Sequence, residues 1–181
     1  MPAIALAITL ALAPGLAAAD QKDSRLPELF GRLQAASDVE AARSPEASIW
    51  RIWSHSDDPA VEILMSQGVA AMARRDLRAA LGKFDQIVKI TPGFSEGWNK
   101  RATVHYLLGN FVESLHDIDR TLALEPRHFG ALSGRGLVYL ELEEEEPALR
   151  SFEAALRVFP LLPGARYNAK ALRKRLGDRS I

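Results

Sequence analysis

The sequence predicts an all-α fold: a solenoid of three helix-turn-helix hairpins, preceded by a helical segment and closed by a capping helix. Three observations carry this expectation. Alanine and leucine are abundant among the 181 residues and β-branched runs are scarce, a composition that favours helix. Residues 61–94, 95–128 and 129–162 align beneath one another without a gap, so the chain repeats itself every 34 residues. Within each segment, apolar residues recur at helical spacing in two runs.

Residues 1–19 are the first element. They carry no charged side chain, Ile4 to Leu12 are apolar, Pro14-Gly15 breaks the run, and Ala17-Ala18-Ala19 precede Asp20. This is the pattern of a secretory signal peptide cut after Ala19, although no Lys or Arg stands before the apolar run. The run is short for a bilayer span, which needs about 20 apolar residues. A periplasmic or secreted chain is therefore expected. An uncut segment would instead leave a membrane-tethered or cytoplasmic protein.

Residues 20–60 are the N-terminal helical segment and linker. Leu26 to Ala36 and Val39 to Trp53 read as two helices, with Pro45 interrupting the second or marking its start. Ile49, Trp50, Ile52 and Trp53 form a dense apolar cluster suited to a core. The expectation is a helical hairpin packed on the first repeat, with Ser54 to Ala60 as the linker.

The repeats follow. Small residues share a column at Gly68, Ala102 and Gly136, and another at Ala80, Ser114 and Ala148. Such columns mark where two helices approach closely. Bulky residues recur at Phe84, Ile118 and Phe152, and prolines at Pro92, Pro126 and Pro160, where they end a helix or open a loop. Gly109-Asn110 reads as the turn of the second hairpin, with Asn110 suited to cap the next helix. The third hairpin has Glu143-Glu144 instead, so its turn glycine is missing. Residues 163–181 are the capping helix and tail. Tyr167, Ala171, Leu172 and Leu176 form its apolar stripe, and Arg166, Lys170, Arg173, Lys174 and Arg175 its basic remainder.

These columns resemble the tetratricopeptide-repeat (TPR) family. Trp98, Ala102, Gly109, Phe111, Ser114 and Pro126 fall on its signature positions, as do Gly136, Tyr139, Ala148, Phe152, Ala155 and Pro160 one repeat later. The resemblance covers residues 61–162 and implies a right-handed stack whose first helices line a concave groove for a peptide or helix of a partner. By column, that groove comprises Met65, Val69 and Met72, then Asn99, Thr103 and Tyr106, then Ser133, Leu137 and Leu140. Asn99 is suited to bond a peptide backbone through its amide. The carboxylate clamp by which some members hold chaperone termini is missing, since Met65, Val69, Gly130 and Gly134 stand at its positions. Gln67, Arg101 and Arg135 replace a column that is apolar in the family, and the two arginines stand one repeat apart. They form either a ladder for an acidic ligand or stems that cover apolar surface while the charge meets water or a local acid.

No catalytic chemistry is legible. The chain has no cysteine, which excludes disulfides, thiolate metal sites and cysteine nucleophiles. His55, His105, His116 and His128 make no metal-ligand pair at helical spacing, and His116 and Asp117, adjacent on a helix, are expected to point apart. Phosphate-binding glycine loops and serine-nucleophile motifs are absent from the sequence. The 23 basic and 23 acidic residues balance, so nothing favours nucleic acid. The expected function is a non-catalytic scaffold or adaptor, without cofactor or metal, that binds a partner protein in a bacterial cell envelope. The alternative is a structural or regulatory subunit of an envelope complex that binds through its outer faces. Self-association through array ends is compatible with either.

Overall fold

The computed structural model describes residues 22–178, so the signal-peptide segment lies outside the described residues. Among the described residues, nine α-helices follow one another and no strand occurs. They are α1 (Leu26–Ala35), α2 (Val39–Ser54), α3 (Pro59–Ala73), α4 (Leu77–Ile90), α5 (Ser95–Leu107), α6 (Phe111–Leu124), α7 (Phe129–Glu141), α8 (Glu145–Val158) and α9 (Pro163–Asp178). Helices α3–α4, α5–α6 and α7–α8 are the three hairpins. The period is exact from Leu77 onward: α4, α6 and α8 start 34 residues apart, as do α5 and α7. Only α3 starts early, because the Asp58 carboxylate accepts from Ala60 N at 2.8 Å and Pro59 suits the first helical position.

One packing device recurs within the hairpins. A Cβ on Gly68 would lie 2.6 Å from the Phe84 ring, and one on Gly136 would lie 2.6 Å from the Phe152 ring. The second hairpin has Ala102 in that column and the slimmer Ile118 in place of the phenylalanine, so the added methyl is matched by a smaller partner. A second device sits in the turns. Arg75, Gly109 and Glu143, one per hairpin at the same column, all have a left-handed backbone, with φ of 61°, 77° and 60°. The turn therefore survives the loss of glycine in the third hairpin. Asn110 occupies the N-cap position but makes no side-chain cap hydrogen bond; its Nδ2 lies 3.4 Å from His105 Nδ1.

The N-terminal hairpin differs from expectation. It packs on the third hairpin rather than the first. Leu26, Leu29, Phe30, Leu33, Ile49, Ile52 and Trp53 share one core with Phe129 at the start of α7 and Phe159 after α8. Gly130 permits this, since a Cβ there would meet the Trp50 ring at 2.6 Å. Pro45 neither breaks nor starts α2; it is buried inside the helix. The connection to α3 is only residues 55–58, held where Glu62 Oε1 accepts from Ser56 N at 2.6 Å.

At the other end, α9 closes the third hairpin with Ala165, Ala169 and Leu172, which join Phe152 and Ala155 in a core. The buried stripe is rotated from the expected one: Tyr167 is 77% exposed and Ala171 is exposed. Arg173 and Arg175 pair with Glu153 (2.8 Å) and Glu145 (3.3 Å) of α8. Among the described residues, no helix is long and apolar enough to cross a membrane.

Candidate functional site

A groove of about 270 Å³ runs between α5 and α7. Asn99, Thr103 and Tyr106 reach it because spacings of four and three keep them on one face of α5. Ser133 and Leu137, one turn apart, do the same on α7. The floor is made of small or slim side chains, among them Ala102, Ser114, Ile118 and Gly134. Ser114 Oγ donates to Ala102 O at 2.9 Å, so its hydroxyl is satisfied internally. The third wall is α2, through Glu46 and Trp50. A larger hollow of about 450 Å³ belongs to the N-terminal hairpin alone, bounded by Arg25, Glu28, Arg51 and His55.

Five of the nine residues expected to face a partner therefore share one groove. The other four lie outside its lining. Met65 is buried in the Phe84 core with Met72 half-buried beside it, Leu140 is half-buried in the Phe152 core, and Val69 is exposed on α3. The N-terminal hairpin explains the difference. It lies across α5 and α7 and makes a short, walled groove there, leaving the face of α3 outside it.

Beneath the groove lies a charged cluster that the sequence did not announce. Glu96 and His128 are both fully buried, and His128 Nε2 lies 3.0 Å from Glu96 Oε2. Ala131 N donates to His128 Nδ1 at 3.0 Å, capping α7. Nδ1 is thus an acceptor and the ring proton sits on Nε2, donated to Glu96. Asn99 Nδ2 donates one of its two N–H groups to the same Oε2 at 2.9 Å, which leaves the second N–H and the Oδ1 acceptor outside that bond. Lys100 Nζ approaches Oε1 at 3.1 Å and stands 5.8 Å above the Trp50 ring. Burial pushes the Glu96 carboxyl up, but the His128 hydrogen bond and the Lys100 charge outweigh it and hold the group below its ordinary value. Trp53 stacks on His128 with ring centres 4.2 Å apart, which ties the N-terminal hairpin to this cluster. Glu96 and His128 are 32 residues apart, and no local spacing marks them as partners.

The arginine column is neutralised from within. Arg101 Nε and Nη2 donate to the two oxygens of Asp117 at 2.7 and 2.8 Å, and Nη1 donates to Asp85 at 2.9 Å. Arg135 Nη2 donates to Asp119 at 2.6 Å. The two guanidiniums thus meet local acids rather than forming an open ladder. His116 does not point away from Asp117: its Nδ1 lies 3.1 Å from Asp117 Oδ1, and its ring is set edge-on to Trp98. Tyr106 Oη donates to Glu141 Oε1 at 3.2 Å, and burial followed by that bond raises its pKa.

Comparison with known proteins agrees with this architecture. Residues 99–163 match the family described as Tetratricopeptide repeat. The chain is 31% identical over 164 residues to a TPR repeat-containing protein of Rhizobium etli, spanning 90% of this chain and 80% of that one. It is similar in fold to the Sgt2 TPR domain from Aspergillus fumigatus, at a TM-score of 0.64 and 19% identity, covering 68% of this chain and 83% of the other. It is equally similar to the first TPR of Spaghetti (RPAP3) bound to the HSP90 peptide SRMEEVD, at a TM-score of 0.64 and 20% identity, covering 67% and 96%. With its three 34-residue hairpins and this likeness over 90% of its length, the chain belongs to the tetratricopeptide-repeat family.

Proposed function

We propose that this protein is a non-catalytic adaptor that holds a short segment of a partner protein in the groove between α5 and α7. The observation that carries the reading is the convergence of Asn99, Thr103, Tyr106, Ser133 and Leu137 on one groove walled by Trp50. The RPAP3 domain, of the same fold, is bound to a peptide, which supports a peptide as the occupant here. The positions where a carboxylate clamp would stand hold Met65, Val69, Gly130 and Gly134, and the Trp50 ring covers Gly130. The occupant is accordingly an uncharged, partly apolar segment that seats a side chain against Leu137 and Ile118. The groove lies just below the usual size of a small-molecule pocket, about 300–1,000 Å³, so contacts extend over its rim.

The test is capture by the tagged full chain, beside a Thr103→Arg, Leu137→Asp variant of equal helicity by circular dichroism. A partner held by the first and lost by the second supports the groove. Equal capture moves the site to another face and overturns the reading.

Export to the bacterial envelope is part of the same proposal and rests on the charge-free apolar segment before Asp20. N-terminal sequencing of the mature chain decides it: a start at Asp20 supports export, and a start at Met1 opposes it.

A further inference from the structure

The second and third hairpins place the same guanidinium in two different settings. In the second, Arg101 takes Asp85 with Nη1 and both oxygens of Asp117 with Nε and Nη2. In the third, Asp119 stands one repeat on from Asp85 but accepts from Arg135 Nη2 rather than Nη1. The column of Asp117, however, holds Ser151, whose hydroxyl donates to Pro147 O at 2.8 Å. Arg135 Nε is consequently buried without a hydrogen-bond partner. A hollow of about 190 Å³ lies at this place, lined by Arg135, Tyr139, Arg150 and Ser151, and none of its lining residues is acidic. Arg150 is exposed. Arg135 and Tyr139 lie about 200° around α7 from Ser133 and Leu137, so this hollow is separate from the groove.

We propose that the hollow binds a carboxylate of an acidic peptide segment, which accepts from Arg135 Nε beside the Nη2 bond to Asp119. A planar guanidinium bonds a carboxylate through two parallel N–H donors, and such charge-assisted pairs are the stronger class of hydrogen bond. Arg150 adds a second positive charge at the mouth, and the Tyr139 hydroxyl is a further donor. A hydrated ammonium pair would lack this geometric match; the fork selects carboxylate. The site is independent of the groove and stands whether or not the groove binds a peptide.

The experiment titrates an N-acetylated, C-amidated tetraglutamate peptide into the full chain labelled with ¹⁵N-arginine. The Arg135 Nε resonance is assigned by its loss in Arg135→Lys. The expected result is a saturable shift of that resonance with tetraglutamate and none with tetraglutamine. Ser151→Asp supplies the carboxylate from within, so it should abolish the shift and raise the melting temperature. Arg150→Gln, at an exposed position, should weaken the peptide at least threefold and keeps the test decisive if Ser151→Asp does not fold. No saturable shift in the wild type, an undiminished shift in Ser151→Asp, unchanged affinity in Arg150→Gln, or tighter binding of inorganic phosphate than of the peptide would each overturn the assignment.

Discussion

The first and third hairpins contain the same interhelix joint, Gly68 against Phe84 and Gly136 against Phe152, yet they live in different surroundings. The third is closed on two sides, by α9 over Phe152 and by the N-terminal hairpin over Phe129 and Phe159. The first leaves Ile63 (58%) and Val69 (45%) exposed on α3. Column identity sets the inside of a repeat, while chain connectivity sets what covers it. The N-terminal hairpin precedes the first repeat in sequence and serves the third in space.

If so, the largest loss should follow from cutting that long-range link. Glu96→Ala leaves the His128 and Asn99 N–H groups without their acceptor in a buried site, and each such orphaned donor costs about 1–3 kcal/mol. Chemical denaturation would check this, and a loss below about 1 kcal/mol would contradict it. Trp53→Ala removes a ring 1% exposed that stacks on His128, and should cost about 3–5 kcal/mol while loosening α7 more than α4 in amide exchange. Uniform loosening would mean the link to the third hairpin is weaker than its packing suggests.

The same link has a pH signature. Glu96 is held below its ordinary value of 4.5, so the folded chain binds fewer protons in acid than the unfolded one. Its contribution is complete above about 4.5 and is lost as pH falls through the folded value. The denaturation midpoint should therefore drop on acidification below that point, and Glu96→Gln should make the drop shallower.

Smaller effects sharpen the shared part of the comparison. Gly68→Val and Gly136→Val force the same ring to shift, and each should cost about 1–3 kcal/mol by overpacking. Melting curves giving very unequal losses would show that cover changes the joint itself. Smallest of all, Glu143→Gly relieves a left-handed non-glycine residue and should gain roughly 0.5–1 kcal/mol. A loss on that substitution would show that Glu143 contributes through its side chain.

Much of the fold was legible because it is local. The Gly/Phe columns, the prolines after α4, α6 and α8, and the helix spacing are all written within 34 residues. Five groove residues were legible for the same reason, since α5 and α7 obey the period. What escaped depends on contacts far along the chain. Trp50 and Trp53 read as core residues, but nothing local says that their core is that of Phe129 and Phe159. The Glu96–His128 pair is invisible to a search for short motifs. The missing turn glycine at Glu143 does not alter the turn, because the packed helices on either side impose the backbone and the residue follows. Of the expected α9 stripe, Leu172 is buried and Leu176 half-buried, but Tyr167 and Ala171 are exposed, because the small Ala165 and Ala169 allow close approach to α8.

The three left-handed turn positions, Arg75, Gly109 and Glu143, have a practical meaning beyond stability. They are equivalent backbone points at the same end of successive hairpins, all exposed, in a chain that contains no cysteine. A single introduced thiol at any of them would be unique in the molecule. Pairs of spin labels or dyes placed there would form a calibrated ruler along the superhelix, reading out whether an occupant of the groove bends or straightens the array without touching the groove itself.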